Sequence, residues 1–261
     1  MRNSGVYMKI LIVVHKPYSL PDIPSVYQPI QVGSLKTINP TYYRDNTGDN
    51  ISEKNNTFCE LTALYWAWKN IDTDVLGLCH YRRYLGNGCF WEKKQKRLLK
   101  EKDIVSILRS ADIILPRKRH YWIETREDQY IHAHNAMDLK ITEMVLQEKY
   151  PSFLPAWKHM LDSRSGHICN MFISKRELIH QYCDWLFDIL FEVEKRLDIS
   201  SYSKNDQRVF GFLGERLLDV WVETNQLRYV ETHIINMERQ KWIKKGVLFL
   251  RRKFYKTHYI E

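Results

Sequence analysis

The 261-residue sequence predicts an α/β fold in three layers, helices packed on either side of a mainly parallel central sheet. Three observations predict it. Short apolar runs alternate with longer amphipathic segments along the chain. The runs Met8–Val14, Val75–Cys79 and Ala111–Pro116 are almost continuously apolar, as in strands covered on both faces. Hydrophobic content of 44% with 27% charged residues is that of a soluble globular chain, and the length suffices to bury a sizeable core.

The first strand, Met8–Val14, breaks into His15-Lys16-Pro17 and a loop that continues through Pro21 and Pro24. Neither GxGxxG nor a P-loop follows it, which argues against a Rossmann dehydrogenase or a P-loop ATPase. Pro29–Gly33 reads as a second short strand. Asn39–Asn50 is polar, with Asp45, Gly48 and Asp49 marking a turn. One long helix is expected next. Phe58, Leu61, Tyr65 and Trp68 recur at helical spacing, and Cys59, Ala63 and Trp66 add apolar surface on the other side, so burial on two faces is expected.

Asp72-Thr73-Asp74 turns that helix into strand Val75–Cys79, which delivers His80, Tyr81, Arg82 and Arg83 at its C-terminal end. Open α/β sheets bind ligands at that end. After Leu85, Gly86 and Gly88 open a loop, a Lys-rich helical segment runs to about Ser110, and Ala111–Pro116 is the next strand. Trp122–His134, polar and aromatic at once, matches neither period. Ala136–Tyr150 and Ser152–Leu161 read as helices separated by Pro151, and Gly166–Ile173 as a buried strand. Ser174 with Glu177 makes a capping box for a helix to about Leu197. A turn at Ser200–Asn205, a helix from Asp206 to about Asn225 and a strand near Leu227–Ile235 complete the pattern.

The net charge of +9 is unevenly placed: eight Lys or Arg and no acid lie between Arg239 and Lys256, so the remainder is nearly neutral. That argues against a broad nucleic-acid surface on a folded face. As a helix, this tail would carry Ile243, Val247, Leu250 and Phe254 on one side and its cations around the flanks, a pattern suited to an anionic inner leaflet or, alternatively, to docking on the domain. No apolar run approaches the roughly 18 residues of a membrane span. MKILIVV ends in His-Lys-Pro and not in a small-residue cleavage site, so the expected location is the cytoplasm or the inner face of the plasma membrane. Five widely spaced cysteines without a CxxC pair argue against a disulfide framework or structural zinc.

Read in order, ISEKN, CELTALYWAWKN, GLCHYRRYL, ADIILPRKRHYWIETREDQYIHAH, GHICNMFISK and RVFGFLGERLLDVW resemble a family of bacterial glycosyltransferases from capsule, exopolysaccharide and O-antigen gene clusters, many labelled only as a domain of unknown function. The resemblance implies a GT-A-like glycosyltransferase domain over residues 1–238, followed by the basic tail 239–261. It implies transfer of a sugar, with galactose as pyranose or furanose one candidate, from a UDP-linked donor to a lipid-linked glycan. The alternative is a non-catalytic nucleotide- or sugar-binding module of a polysaccharide assembly complex.

Sugar transfer needs something to neutralise the departing diphosphate and, in the inverting case, a carboxylate to deprotonate the acceptor. Asp72-Thr73-Asp74 stands at the wrong end of a parallel strand for a metal motif and reads as a turn. His80, Arg82 and Arg83 stand at the right end, and arginine forks match phosphate without a metal. No cofactor is therefore expected, a divalent metal being the less favoured alternative. In an extended strand His80 and Arg82 share one side, Tyr81 and Arg83 the other. One arginine would face the donor while the other holds Glu60 or another acid. His15, Asp49 and Asn55 join this set as donor-binding candidates. Glu215, between Gly211, Gly214 and the helix that follows, is the first candidate base or, alternatively, an ion-pair partner of Arg208 or Arg216; Asp206 is the second candidate base. Tyr130, His134 and Asn170 are the acceptor-binding candidates.

Overall fold

Strand β1 (Met8–Val14) is the axis of the sheet. β2 (Tyr27–Gln31) and, beyond it, β3 (Tyr43–Arg44) run parallel to it on one side, and β4 (Val75–His80) runs parallel on the other. The computed structural model describes residues 6–33 and 36–238; the basic tail from Arg239 onward lies outside them. Beyond β4 the sheet is mixed, which corrects the mainly parallel expectation. β5 (Arg83–Gly86) folds back antiparallel on the end of β4. After β6 (Ile113–Pro116), the two-residue strands β7 (Arg119–His120) and β8 (Ser165–Gly166) pair with each other as a separate ladder. β9 (Phe172–Lys175) runs antiparallel to both β4 and β6, and β10 (Tyr229–Asn236) lies antiparallel to β5 and parallel to β6.

Strand alternation divides the core into two. Leu11, Val13, Leu76 and Leu78 face a helical layer made of α1 (Asn55–Phe58), α2 (Leu61–Asn70), α5 (Ala136–Lys149), α6 (Leu154–Asp162), α7 (Arg176–Arg196) and α8 (Val209–Thr224). Ile10, Ile12, Val14, Val75 and Cys79 face a thinner layer. It consists of Ile104 in α3 (Glu101–Ile107), Leu98, Leu99 and side chains of the loop after β1. No helix among the described residues is long and apolar enough to cross a membrane.

Three local departures from the expected elements matter for function. The long helix is broken at Cys59, whose φ is +53°; Asn55 Nδ2 donates to Cys59 O (2.8 Å) across the break, and α2 restarts after Glu60. The strand expected at Gly166–Ile173 survives only at its two ends. Between them Cys169 (φ +74°) and Asn170 (φ +47°) make a left-handed turn in which the backbone leaves the ladder. Ser174 is no helix cap: it lies inside β9 and its Oγ donates to Asp112 O (2.6 Å), while Lys175 precedes α7 without a side-chain cap. The unassigned Trp122–His134 segment forms α4 (Arg126–Ile131), started by a capping box between Thr125 and Asp128.

Candidate active site

Beyond the C-terminal ends of β1 and β4, the Cys169–Asn170 turn joins the strand end to α8: His80 reaches Cys169 O and Glu215 the Cys169 N–H. His80, Tyr81, Arg82 and Arg83 do not continue as an extended strand. Tyr81 and Arg82 form a tight turn, and His80 sits directly opposite Arg83 in the antiparallel pair. Residues directly opposite in such a pair project to the same side. His80 and Arg83 therefore act together, which corrects the alternation expected of an extended strand. His80 Nε2 donates to Cys169 O (2.7 Å), and Arg83 Nη1 donates to Cys169 Sγ (3.2 Å).

Arg82 points the other way. Its guanidinium lies 5.0 Å from the centre of the Tyr81 ring and meets Glu238 at 3.3 Å. Tyr81 is buried beneath His15 (ring centroids 5.2 Å) and Tyr18 (4.7 Å). Burial holds His15 below its usual imidazole range, and the neighbouring charges of Lys16, Arg82 and Arg208 lower it further. One side of the site is thus a neutral imidazole among cations.

The other side carries acids. Along α8 and the turn before it, Arg208, Phe212, Glu215 and Asp219 recur at intervals of three and four, so they share one face. Gly211 and Gly214 let this helix come close to its neighbours. A Cβ on Gly211 would stand 3.1 Å from Cys59 Cβ, and one on Gly214 would stand 2.9 Å from Leu61 Cδ1 and 3.1 Å from Asn170 Oδ1. Glu215 accepts from the Cys169 backbone N–H (2.8 Å). Burial raises its carboxyl above the usual glutamate range, Arg216 opposes that, and the charge of Glu60 adds to it. Glu60, at the start of α2, accepts from Asn170 Nδ2 (2.8 Å) and lies 3.9 Å from His80 Nε2. Arg208 sits at the edge of the pair with its Nε on Cys59 Sγ (3.3 Å) and feels both carboxylates. The result is two carboxylates, Glu60 and Glu215, tied to one turn, with Arg83 on the sulfur of that turn and Arg208 close enough to feel both acids.

The other sequence candidates fall in different places. Asn55 bridges Cys59 O and Thr62 Oγ1 and braces the break before Glu60. Asp49 is exposed at the far end of α2, where Tyr65 donates to its side chain and Asn70 to its backbone; it does not join His80. Asp206 is taken up by His134 Nδ1 (3.0 Å) and Ser203 Oγ (2.7 Å). Burial pushes its carboxyl up, but these bonds outweigh burial and leave it below the usual aspartate range, unfavourable for a base. Tyr130 is fully buried, donates to Asp138 (2.6 Å) and is covered by the Arg216 guanidinium, so it is a core residue and no platform for a sugar. His134 stacks on Phe212 at 4.2 Å. Asn170, 1% exposed, holds Glu60 and Gly211 O and has no face to offer an acceptor.

Glu60 pairs with neither Arg82 nor Arg83; of the two acids the expectation left open, Glu60 or another, Arg82 holds another, Glu238. Arg216 turns onto Phe212 O and Gln129 Oε1, so it is no direct partner of Glu215. Sequence reasoning missed the Cys59 and Cys169 sulfurs and the Cys169 backbone N–H as anchors of the site. Asp74, with its Oδ2 accepting from the Tyr7 N–H (2.8 Å), stands before β4 as expected. It lines, with Thr73, Arg109, Lys175 and His180, a cavity of about 920 Å³ at the end of β4 remote from His80. Among the described residues no three His, Cys, Asp or Glu side chains are grouped as metal ligands.

A solved structure titled as the apo form of WbbM, a bifunctional glycosyltransferase, superimposes on this chain with a TM-score of 0.79 at 29% identity. The match covers 89% of this chain and 46% of that one, so the chain spans about half the length of that protein. No curated protein matches the chain at a significant level. A family model matches residues 9–226, from the first strand of the sheet to the end of α8, and the chain belongs to the family it describes, the domain of unknown function DUF4422.

Proposed function

We propose that the chain is a glycosyltransferase with a GT-A-like domain, moving a sugar from a UDP-linked donor to a lipid-linked glycan of a surface polysaccharide. The observation that carries this reading is the cluster gathered about the Cys169–Asn170 turn, His80 and Arg83 on one side of it and Glu60 and Glu215 on the other. His15 lies among the charges of Lys16, Arg82 and Arg208, and Arg208 in turn feels a carboxylate pair, one member of which is raised by burial and by the other. The likeness to a glycosyltransferase at 29% identity supports the class of chemistry.

In this reading the donor diphosphate lies against the cations about His15. Arg83, whose sulfur partner is a weak acceptor, turns its fork onto a phosphate oxygen as the leaving charge develops. Glu215 is the acceptor base: it is held by a single backbone N–H, and its raised affinity for a proton suits it to take one from a hydroxyl. Glu60 keeps Glu215 basic and is positioned by Asn170. Fixed cations take the part that a divalent ion plays in other enzymes.

The test is turnover of a panel of nucleotide sugars by the purified protein, with water or a lipid-linked glycan as acceptor. Glu215→Gln should abolish most transfer and retain UDP affinity, because an amide keeps the shape and the Cys169 contact but takes no proton. UDP binding without turnover of any donor by the unaltered protein would leave the non-catalytic binding module as the better reading.

A further inference from the structure

The surface running along β10 combines exposed aromatic rings with cations. In the loop after β5, Phe90 is 74% exposed and Trp91 87% exposed. An indole at the tip of a loop leaves a large apolar surface in water, a feature that marks interaction sites. Between residues 87 and 100 the chain has five cations, Lys93, Lys94, Lys96, Arg97 and Lys100, against the single carboxylate Glu92. The Arg97 guanidinium lies 5.3 Å from the Phe90 ring centre, and Phe90 meets His233 of β10 edge-on at 6.1 Å.

The surface continues along β10. His233 also feels Arg117, which follows β6 in the sequence, and Lys118 lies 5.4 Å from the ring of exposed Tyr229. At the other end Lys94 Nζ donates to Met237 O (3.0 Å). The face therefore reaches to within two residues of Arg239, where the sequence adds eight more cations.

We propose that this face rests on an anionic lipid bilayer, with Phe90 and Trp91 at headgroup depth and the surrounding lysines and arginines over the lipid phosphates. Trp and Tyr are the side chains that bilayer interfaces favour, since an apolar ring and a polar edge are both accommodated there. Each nearby cation adds attraction to an anionic leaflet. Nucleic acid is the less fitting partner. The rings stand at a loop tip, not along a groove, and the sequence from 239 on intersperses Trp242, Ile243, Val247, Phe249, Leu250 and Phe254 with its cations, apolar groups that a polyanion does not reward and an acyl boundary does.

The geometry also sets an orientation. Met237 N–H donates to Arg82 O (2.9 Å), and Arg82 meets Glu238, so the bilayer-facing edge adjoins Arg82 and the cations about His15. On the transfer reading above, a lipid-borne acceptor would reach the site from this edge. Contact of this face with a bilayer is independent of that reading.

The test is sedimentation of the full chain with phosphatidylcholine vesicles containing or lacking phosphatidylglycerol, at physiological salt. Phe90→Ser with Trp91→Ser, and separately Lys93→Glu with Lys96→Glu, should each lower partition onto the anionic vesicles by roughly tenfold or more, all else in the chain being intact. Unaltered far-UV circular dichroism would certify the fold of these exposed variants. Quenching of tryptophan fluorescence by brominated lipid should fall in Trp91→Phe. Partition equal to that of the unaltered chain in both double variants, or undiminished quenching, would overturn the proposal; so would loss of RNA retention in the variants with unchanged vesicle binding. Transfer to a soluble acceptor is measured separately, so failure of the vesicle test and failure of the transfer reading are distinguishable.

Discussion

At the scale of single residues, the carboxylate pair makes a prediction about pH. Burial first, and then the charge of Glu60, raises Glu215, while Arg216 opposes the shift. A base works only when ionised, so transfer should fall as pH drops through this raised value, and the acid limb of the rate profile should lie above the ordinary glutamate value of about 4.3. Glu60→Gln removes one of the causes and should move that limb to lower pH; an unmoved limb would mean that Glu60 and Glu215 do not communicate. The stability sign is the reverse of the usual salt-bridged acid. A carboxyl raised in the folded state favours folding below its unfolded pKa, and that contribution is lost as pH rises through the folded value. Glu215→Gln should therefore be no less stable than the unaltered protein at neutral pH, measured by urea unfolding, which separates a lost base from a lost fold. The two arginines should also part company. Arg83 rests on the Cys169 sulfur, in the turn that also holds both acids, and Arg82 on Glu238. Arg83→Ala should cost about 2–4 kcal/mol of transition-state stabilisation, Arg82→Ala clearly less, and transfer should persist in excess chelator. Lysine at position 83 should restore only part, since a point charge cannot replace a fork. Strict dependence on a divalent ion with both arginine variants active would move the phosphate site elsewhere.

At the scale of elements, the site depends on loops being held where the strands end. Asp45, fully buried after β3, accepts from Gly33 N–H (3.0 Å), Ser52 Oγ (2.6 Å) and Thr62 Oγ1 (2.6 Å), joining the ends of β2 and β3 to the start of α2. Asp45→Ala should destabilise by about 2–4 kcal/mol, because it orphans three buried donors at once, and Asp45→Asn by less. An unfolding midpoint within error of the unaltered protein would show that this network is dispensable. Much of this architecture was legible: the strands at Met8 and Val75, the helices α5 to α8 (α4 excepted), and the position of Asp72-Thr73-Asp74 before β4 all follow from apolar runs, helical spacing and turn chemistry. What was not legible has a common physical cause. Cys59, Cys169 and Asn170 adopt positive φ without being glycine. Local propensity assigns such residues to a continuing helix or strand, and only tertiary contacts, here Asn55 on Cys59 O and Glu215 on the Cys169 N–H, hold them outside it. Gly211, Gly214 and the amide at Asn170 were the visible signs of close approach. The sulfur contacts of Arg83 and Arg208 left no sign, because a cysteine in an apolar run reads as core. The HYRR hairpin was missed for a similar reason: a turn of Tyr81 and Arg82 contains none of the Gly, Asn, Asp or Pro residues by which turns are recognised.

At the scale of the whole molecule, charge is distributed with a direction. Eight cations stand beyond residue 238, and the strand that leads there ends beside Lys94 and Arg82. The remainder of the chain is close to neutral, so long-range attraction to an anionic surface comes chiefly from the sequence beyond residue 238, and the last described residues, Met237 and Glu238, contact Arg82. An acceptor carried by a lipid and one free in solution should then depend differently on those cations. Changing Lys244, Lys245, Arg251, Arg252 and Lys253 together to Gln should leave the turnover of a soluble acceptor glycan within about twofold, since the proposed chemistry rests on Glu215, Glu60 and Arg83. The same change removes five charges from the attraction to anionic lipid, each worth about 1 kcal/mol near a surface at moderate salt. Transfer to an acceptor embedded in phosphatidylglycerol-containing vesicles should fall by at least about tenfold, and raising the salt should reduce the difference between the variant and the unaltered chain, because screening weakens what the cations contribute. Equal rates on the embedded acceptor at low salt would show that the cations beyond residue 238 have no part in bringing enzyme and acceptor together.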